Sequence, residues 1–519
     1  MTSIWMQKIA SLHDASDRLW LIRPYKNILP IISPMLVTRF APSPTGYLHI
    51  WGVRTAFYCW LLAKKHHGRY LLRIEDTDLS RSTDEMEKAI IDGFQWLGLD
   101  WDAWPGKEDD KWPYHQMQRL PIHKDYLQKL LDQGLAYEAR ESADELTAMR
   151  EECEKARRAF IYRKPEYTEE QIAAWKAEGR IPTIRLVVPQ RDIVVHDHIK
   201  GEVRFHGKDI GDFVLMKSDW SPIYYFANML DDALQGVTLV IRAEEHLSNT
   251  PKQVILYDYF GFQVPEFAHL PLVMNPNGKK LSKRDASPEF FISVHQFQEA
   301  GFLPDAILNF IAMVGWNPWT EQEIFTREEL IDAFSLERVI KSNAVYDFNR
   351  ALWYNSQYLS AMSDEAFVDA VQDYLKTRWG DEWKHILETS DRAYWLSFAP
   401  YIKVRIQTFA QFRDYCQYFF KMLPADDALV CREKMQATKE VVLAYLPKVI
   451  AMLETLEPWT EESIKNALIA FIAEQWLKNG QVLRPLRAIL TGVEASPGAF
   501  EMLTVLGRDE SVKRLREWK

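Results

Sequence analysis

The sequence predicts an α/β protein whose doubly wound front half gives way to an all-helical back half. Three observations predict it. Strand-length and helix-length apolar runs alternate from Leu36 to Gly98, and the same alternation resumes from Val237 to Val273. From Pro288 onward almost every segment repeats its apolar residues at helical spacing.

Leu36-Val37-Thr38-Arg39-Phe40 reads as a buried strand. The turn-rich stretch from Pro42 to Gly52 follows, then a helix over 53–67 with Gly68 expected at its C′ position. Arg69 to Ile74 is the next strand and runs into Glu75-Asp76-Thr77-Asp78. Ser82 and Glu85 have capping-box spacing ahead of an amphipathic helix ending near Gly98. Ligands of such sheets lie beyond the carboxyl ends of the strands, where Pro42–Gly52 and Glu75 fall.

Beyond Pro113 a charged, helix-rich stretch over 144–180 and short strands at 183–188 and 202–205 read as an α+β insertion. A strand at 237–242, a helix near 250–260 and a strand at 267–273 restore the α/β pattern. Helical periodicity then covers 305–315, 328–334, 364–377, 439–456 and 461–479, with no alternating strand expected. Pro447 is expected to kink or split the fourth of these helices. The implied order is an extension (1–34), a catalytic first half (35–112), the insertion (113–224), a second half (225–287) and two helical regions (288–360 and 361–519).

At 519 residues the chain has room for several cores, and 47% hydrophobic with 26% charged residues excludes a disordered protein. A net charge of −10 excludes an undirected basic coat but leaves room for a local basic face. Cys59, Cys153, Cys416 and Cys431 contain no C-x-x-C pair, so no structural zinc is expected and the thiols suit a reducing compartment. No apolar run approaches the roughly 20 residues of a membrane helix. Residues 1–34 contain Asp14 and Asp17, unlike acid-poor transit peptides. They read as a disordered extension, or as sequence upstream of a true start at Met35.

Two distant segments ask for phosphate. Pro42-Ser43-Pro44-Thr45-Gly46-Tyr47-Leu48-His49 opens onto a helix N-terminus, where free backbone N–H groups suit an anion. There His49 can donate to a triphosphate oxygen. Lys279-Lys280-Leu281-Ser282-Lys283-Arg284-Asp285 follows the turn signal Asn275-Pro276-Asn277-Gly278 and can bring positive charge onto the same phosphates. A solvated charge run is the alternative for these lysines, and a surface histidine the alternative for His49. Arg39 and Arg242 each end a predicted strand. Buried there, they need anionic partners: either Glu75, Glu244 and Glu245 within the protein, or a ligand carboxylate. A carboxylate would be accepted and its neutral amide rejected.

At these residues the chain resembles the class I aminoacyl-tRNA synthetases, specifically the bacterial-type glutamyl-tRNA synthetases. The resemblance is carried by Thr38-Arg39-Phe40-Ala41-Pro42-Ser43-Pro44-Thr45-Gly46, His49-Ile50-Trp51-Gly52, Arg73-Ile74-Glu75-Asp76-Thr77-Asp78, Asp231-Asp232, Ile241-Arg242-Ala243-Glu244-Glu245-His246, Lys280-Leu281-Ser282-Lys283-Arg284 and Pro485-Leu486-Arg487. It implies a Rossmann-type catalytic domain, an acceptor-binding insertion and an all-α anticodon-binding half. It also implies that His49, Lys280 and Lys283 are catalytic, in the family's HIGH and KMSKS signatures. By the same resemblance Arg39, Ala41, Ser43, Glu75, Tyr224 and Arg242 fall at glutamate. Ser43, His49, Gly52, Glu245, Leu281 and Lys283 fall at ATP, and Arg405 falls near the anticodon.

The implied reactants and partners are L-glutamate, ATP with Mg²⁺, and tRNA-Glu, with no zinc, no membrane, a monomer and a cytoplasmic location. Two features depart from the pattern. Trp51 replaces a glycine that lets backbone approach the adenine, and the zinc-binding cysteines of some relatives are missing near Tyr137–Arg140. Trp51 favours one rival, a paralogue that binds tRNA without charging it. Two other rivals, the truncated relative that glutamylates queuosine and glutaminyl-tRNA synthetase with its β-barrel anticodon region, conflict with the helical back half.

Overall fold

The computed structural model describes residues 35–519 except 79–81, 108, 283–284, 288–289 and 379. The readings of residues 1–34 and of Lys283 therefore lie outside the described residues.

Strands β1 (Val37–Phe40) and β2 (Arg69–Leu72) pair in parallel, with Val37 opposite Arg69 and Phe40 opposite Leu72. Helix α1 (Ile50–Lys65) makes the crossover. Its interior is apolar on nearly every side, so it is buried nearly all round. Lys64 and Lys65 close its last turn, where cations suit the helix dipole.

The expected left-handed Gly68 is corrected: His67 takes the positive φ of 49° instead. Gly68 is demanded by close approach. A Cβ there would lie 2.2 Å from the Leu36 carbonyl oxygen, which also accepts from Arg69 N at 2.7 Å. The expected Ser82 cap also shifts by one residue. Helix α2 (Asp84–Leu97) starts after Thr83, whose hydroxyl accepts from Met86 N at 3.2 Å, and ends at left-handed Gly98.

The next stretch contains α3 (Leu120–Asp132), β3 (Ala136–Ala139), α4 (Ala143–Lys155), α5 (Glu169–Ala177), β4 (Thr183–Leu186), β5 (Ile193–Asp197), β6 (Gly201–Phe205) and β7 (Val214–Met216). Strands β3, β4 and β7 form an antiparallel sheet. Helices α4 and α5 bury none of their residues and are started by capping boxes, Ser142 with Glu145 and Thr168 with Gln171.

The chain continues through α6 (Tyr224–Gln235), β8 (Leu239–Ala243), α7 (Thr250–Phe260), β9 (Glu266–Leu270) and β10 (Val273–Met274). The β5–β6 hairpin does not stay with β3, β4 and β7. It completes a four-stranded sheet of order β6-β5-β9-β8, in which β5, β9 and β8 run parallel. This sheet meets β1 where Thr238 N donates to Val37 O at 3.0 Å. The carboxyl ends of β1 and β8 thus open side by side.

Helices from Pro304–Met313 to Ala499–Glu517 account for most of the remainder, and the later ones close over their own aromatic core of Trp395, Phe398, Phe412 and Phe419. The helix Lys439–Thr455 continues through Pro447, so of the two expectations, a kink or a split, the split is not seen. A correction to the sequence reading is β11 (Ala344–Val345), a strand inside the helical half that pairs in parallel with β10. Two residues are too short for an alternating pattern to register. No helix among the described residues is long and apolar enough to cross a membrane.

Gly68→Ala should lower the unfolding free energy by about 1–3 kcal/mol, because backbone and not a flexible side chain must yield. Urea denaturation beside wild type checks this.

Candidate active site

Helix α6 turns a polar stripe inward. Tyr224, Asn228, Asp231, Asp232 and Gln235 recur at helical spacing, and the last four are at most 3% exposed. Buried carboxylates at this depth require cationic partners. Asp232 accepts from Arg39 Nε and Nη2 at 3.0 and 3.1 Å, a two-pronged pair, and from Arg73 Nη2 at 2.8 Å. Asp231 accepts from Arg119 Nε at 2.6 Å and Gln116 Nε2 at 2.9 Å, with His123 Nε2 at 2.8 Å. Burial works against ionising Asp232, but the two guanidinium groups outweigh it and hold its carboxyl below the usual range.

The partners expected for the strand-end arginines are corrected. Arg39 is held by Asp232, whereas Glu75 accepts from Asn228 Nδ2 at 2.7 Å and Arg73 Nη2 at 3.2 Å. Burial pushes the Glu75 carboxyl upward. Glu244 pairs with Lys200, and Glu245 with Lys280. Arg242 is 5% exposed, and its hydrogen-bond partners are all neutral. Its Nε donates to His269 Nε2 at 3.1 Å, and its Nη2 donates to Thr250 Oγ1 at 2.8 Å and Gln253 Oε1 at 2.7 Å. Its Nη1 is buried without a protein acceptor. Burial pushes this guanidinium below its ordinary value, the opposite of Arg39.

Arg39, Ala41, Trp51, Gly52, Tyr224 and Arg242 all face one cavity of about 220 Å³, closed on other sides by Asn228, Glu245, His246, Lys280 and Leu281. Such a volume suits a small ligand, since pockets for drug-sized molecules run to about 300–1,000 Å³. Its charges do not balance. Arg39 is matched by Asp232 and Lys280 by Glu245, while burial lowers His246 to about 4 and keeps it neutral. Arg54 lines the same cavity at 3% exposure. It donates from Nη1 to Pro271 O at 2.8 Å, with Nε and Nη2 left without acceptors. Two buried guanidinium groups without carboxylate partners make this a site for an anion.

Ser43, His49 and Glu75 lie outside the cavity wall. Glu75 is tied to the first loop by its N–H, which donates to Pro42 O at 2.9 Å. The His49 ring stacks on the Trp51 indole, with centroids 4.6 Å apart and planes 18° apart. The indole thus bridges His49 and the cavity.

At the other signature, Leu281 is buried and donates from N to Val273 O at 2.9 Å. Asp285 accepts from Ser282 N and Oγ at 2.7 and 2.8 Å and from Asn275 Nδ2 at 3.0 Å, bracing the loop across its base. Arg405 belongs to the helical half, where it donates to Tyr401 O and lies 3.6 Å from Glu501.

Sequence reasoning assigned no role to Arg54, Arg73, Asn228, His246 or His269. The α6 stripe carried a signal for Asn228, because it, Asp231, Asp232 and Gln235 share one helical face with Tyr224. That face reads equally well as the solvent side.

Asp232→Ala should destabilise the protein by about 3–5 kcal/mol, because it strands two buried arginines. Thermal unfolding against wild type checks it.

Residues 35–353 match the family described as tRNA synthetases class I (E and Q), catalytic domain, and residues 366–519 match an anticodon binding domain. Glutamate–tRNA ligase 1 of Caldanaerobacter subterraneus subsp. tengcongensis is 38% identical over 480 residues, covering 92% of this chain and 96% of that protein. A glutamate–tRNA ligase of Rhodopseudomonas palustris is 38% identical over 489 residues, or 93% and 98% of the two chains. Among solved structures, a glutamate tRNA ligase from Elizabethkingia meningosepticum in complex with its amino acid superposes with a TM-score of 0.82. It is 31% identical, and the match covers 93% of this chain and 98% of that one. With the front and back halves both matched, the chain belongs to the E and Q family of class I tRNA synthetases.

Proposed function

We infer that this chain is a glutamate–tRNA ligase, activating L-glutamate with ATP and transferring it to tRNA-Glu. The observation that carries this reading is Arg242: a buried guanidinium at a strand end, facing a small cavity, with neutral partners on two nitrogens and none on the third. A substrate carboxylate supplies the missing charge. The relatives named above support glutamate as its owner.

In this reading Arg242 holds a glutamate carboxylate, and Arg39 shapes the pocket floor while Asp232 neutralises it. Ala41 and Tyr224 line the amino-acid site, and Ser43 and Glu75 support it from outside the cavity wall. His49, Gly52, Glu245 and Leu281 receive the nucleotide, with Lys280 and Lys283 as charges on its phosphates. The α-carboxylate of glutamate attacks the α-phosphorus of ATP. The bond to the β-phosphate bridging oxygen breaks, and pyrophosphate leaves with the electron pair. The 2′-hydroxyl of the terminal adenosine then attacks the acyl carbon and AMP leaves.

The chain's contribution is position and charge, with no covalent nucleophile. Among the described residues no group of three His, Cys, Asp or Glu could hold a metal ion. Mg²⁺ accompanying the nucleotide would offset the charge of the phosphates. The helical back half contacts the tRNA, with Arg405 near the anticodon, and the enzyme acts as a cytoplasmic monomer.

Charging of labelled glutamate onto tRNA-Glu and tRNA-Gln transcripts tests the function. Charging of tRNA-Glu is expected. Failure to charge either transcript despite tRNA binding would leave the non-charging paralogue. Arg242→Ala should reduce charging at least a hundredfold with tRNA affinity within twofold, because a charged hydrogen bond is removed from the pocket alone. Trp51→Gly should slow pyrophosphate exchange up to roughly tenfold by releasing His49 from a stack of about 0.5–1.5 kcal/mol.

A further inference from the structure

Behind Arg242, outside the cavity wall, stands a fully buried histidine. His269 Nε2 accepts from Arg242 Nε at 3.1 Å, and arginine has donors only. That nitrogen therefore carries its lone pair, and the ring proton sits on Nδ1. The Nδ1–H donates to Asp197 Oδ2 at 2.6 Å. The same carboxylate oxygen accepts from His269 N at 3.0 Å, while Oδ1 accepts from Ile199 N and Lys200 N at 2.9 and 2.8 Å. Thr250 Oγ1 accepts from Arg242, and its single hydroxyl proton lies between His269 Nε2 at 3.0 Å and His246 O at 3.4 Å. Both Asp197 oxygens are thus held by main-chain donors, and Oδ2 by the His269 ring as well.

We propose that Asp197 and His269 form a positioning pair that fixes the Arg242 guanidinium for the substrate carboxylate. The proposal rests on the reading of Arg242 as the carboxylate-binding group. The contrast with Arg39 supplies the physical argument. A carboxylate placed directly on Arg39 neutralises it and occupies both prongs of its fork. A neutral imidazole on Arg242 holds the rotation about Nε and leaves the positive charge for the ligand. Asp197 fixes the tautomer that makes this possible, since the other tautomer would point N–H against N–H. Asp197 comes from the β5–β6 hairpin, which joins β9 in parallel at Asp197 and Phe267. The orientation of the pocket arginine is therefore set from a strand two places away in the sheet.

Steady-state charging of tRNA-Glu by wild type, His269→Asn, His269→Gln and Asp197→Asn tests the pair. His269→Asn keeps a donor toward Asp197 but no acceptor at Arg242, whereas His269→Gln places an oxygen near the lost Nε2. His269→Asn should raise the glutamate KM roughly ten- to hundredfold. ATP KM and tRNA Kd should stay within twofold, and His269→Gln should recover most of the loss. Should His269→Asn fail to fold, Asp197→Asn is expected to raise the glutamate KM selectively in the same way.

An unchanged glutamate KM in the folded variants overturns the pair while leaving the ligase reading intact. So does a loss spread equally over glutamate, ATP and tRNA that His269→Gln does not restore, which would assign a merely structural role. A wild-type protein that charges no glutamate overturns the ligase reading and the pair with it.

Discussion

Asp232 is the residue on which the site's geometry depends. It gathers Arg39 from β1 and Arg73 from the end of β2, so one carboxylate on α6 pins two strands and a helix together. The linkage continues outward. Arg73 reaches Glu75, Glu75 accepts from Asn228, Asn228 accepts from Gln253, and Gln253 accepts from Arg242. Both pocket arginines are thereby joined through a single buried chain of hydrogen bonds. In a low-dielectric interior such a chain is rigid only as far as its members are satisfied; Arg73 Nε and Arg242 Nη1 are left without acceptors, and of these two arginines Arg242 lines the cavity.

Much of this was legible in the sequence, and the limits have physical causes. The α/β alternation and the helical back half follow from periodicity, which survives whatever the tertiary contacts do. Arg39, Arg242 and Lys280 stood out because charged residues at strand ends and in turn-rich loops are unusual, whereas Tyr224 came only from the family resemblance; all four line the cavity. Asp232 as the partner of Arg39 was not. The two residues lie 193 positions apart, and Glu75, a carboxylate much nearer to Arg39 in sequence, offered itself first. Gly68 misled for another reason: a glycine after a helix suggests a left-handed turn, whereas this one serves a close backbone approach. A pair as short as β10 with β11 leaves no periodic trace at all.

Trp51 shows how a departure from a family pattern can be absorbed. The indole does not project into solvent or displace the start of α1. It lies against His49 and lines the cavity, while the Trp51 main-chain carbonyl accepts from Thr55 Oγ1 at 3.3 Å. Gly52, the next residue, has only ordinary contacts around a would-be Cβ, the nearest being Phe40 at 3.5 Å. Bulk at the third signature position is therefore carried by the cavity wall, and its consequences fall on what occupies the cavity.

The short β10–β11 pair has a mechanical consequence. Ala344 N donates to Leu272 O at 3.1 Å and Tyr346 N to Met274 O at 2.9 Å, immediately before Asn275 begins the basic loop. The root of that loop is thus stitched by main chain to a segment some 70 residues downstream, in the helical half. Sliding the helical half against the sheet would shear this stitch, at about 1 kcal/mol for each amide bond broken. Displacement of the helices is therefore felt at the loop's hinge end as a pull on its backbone, without passing through any side chain of the pocket.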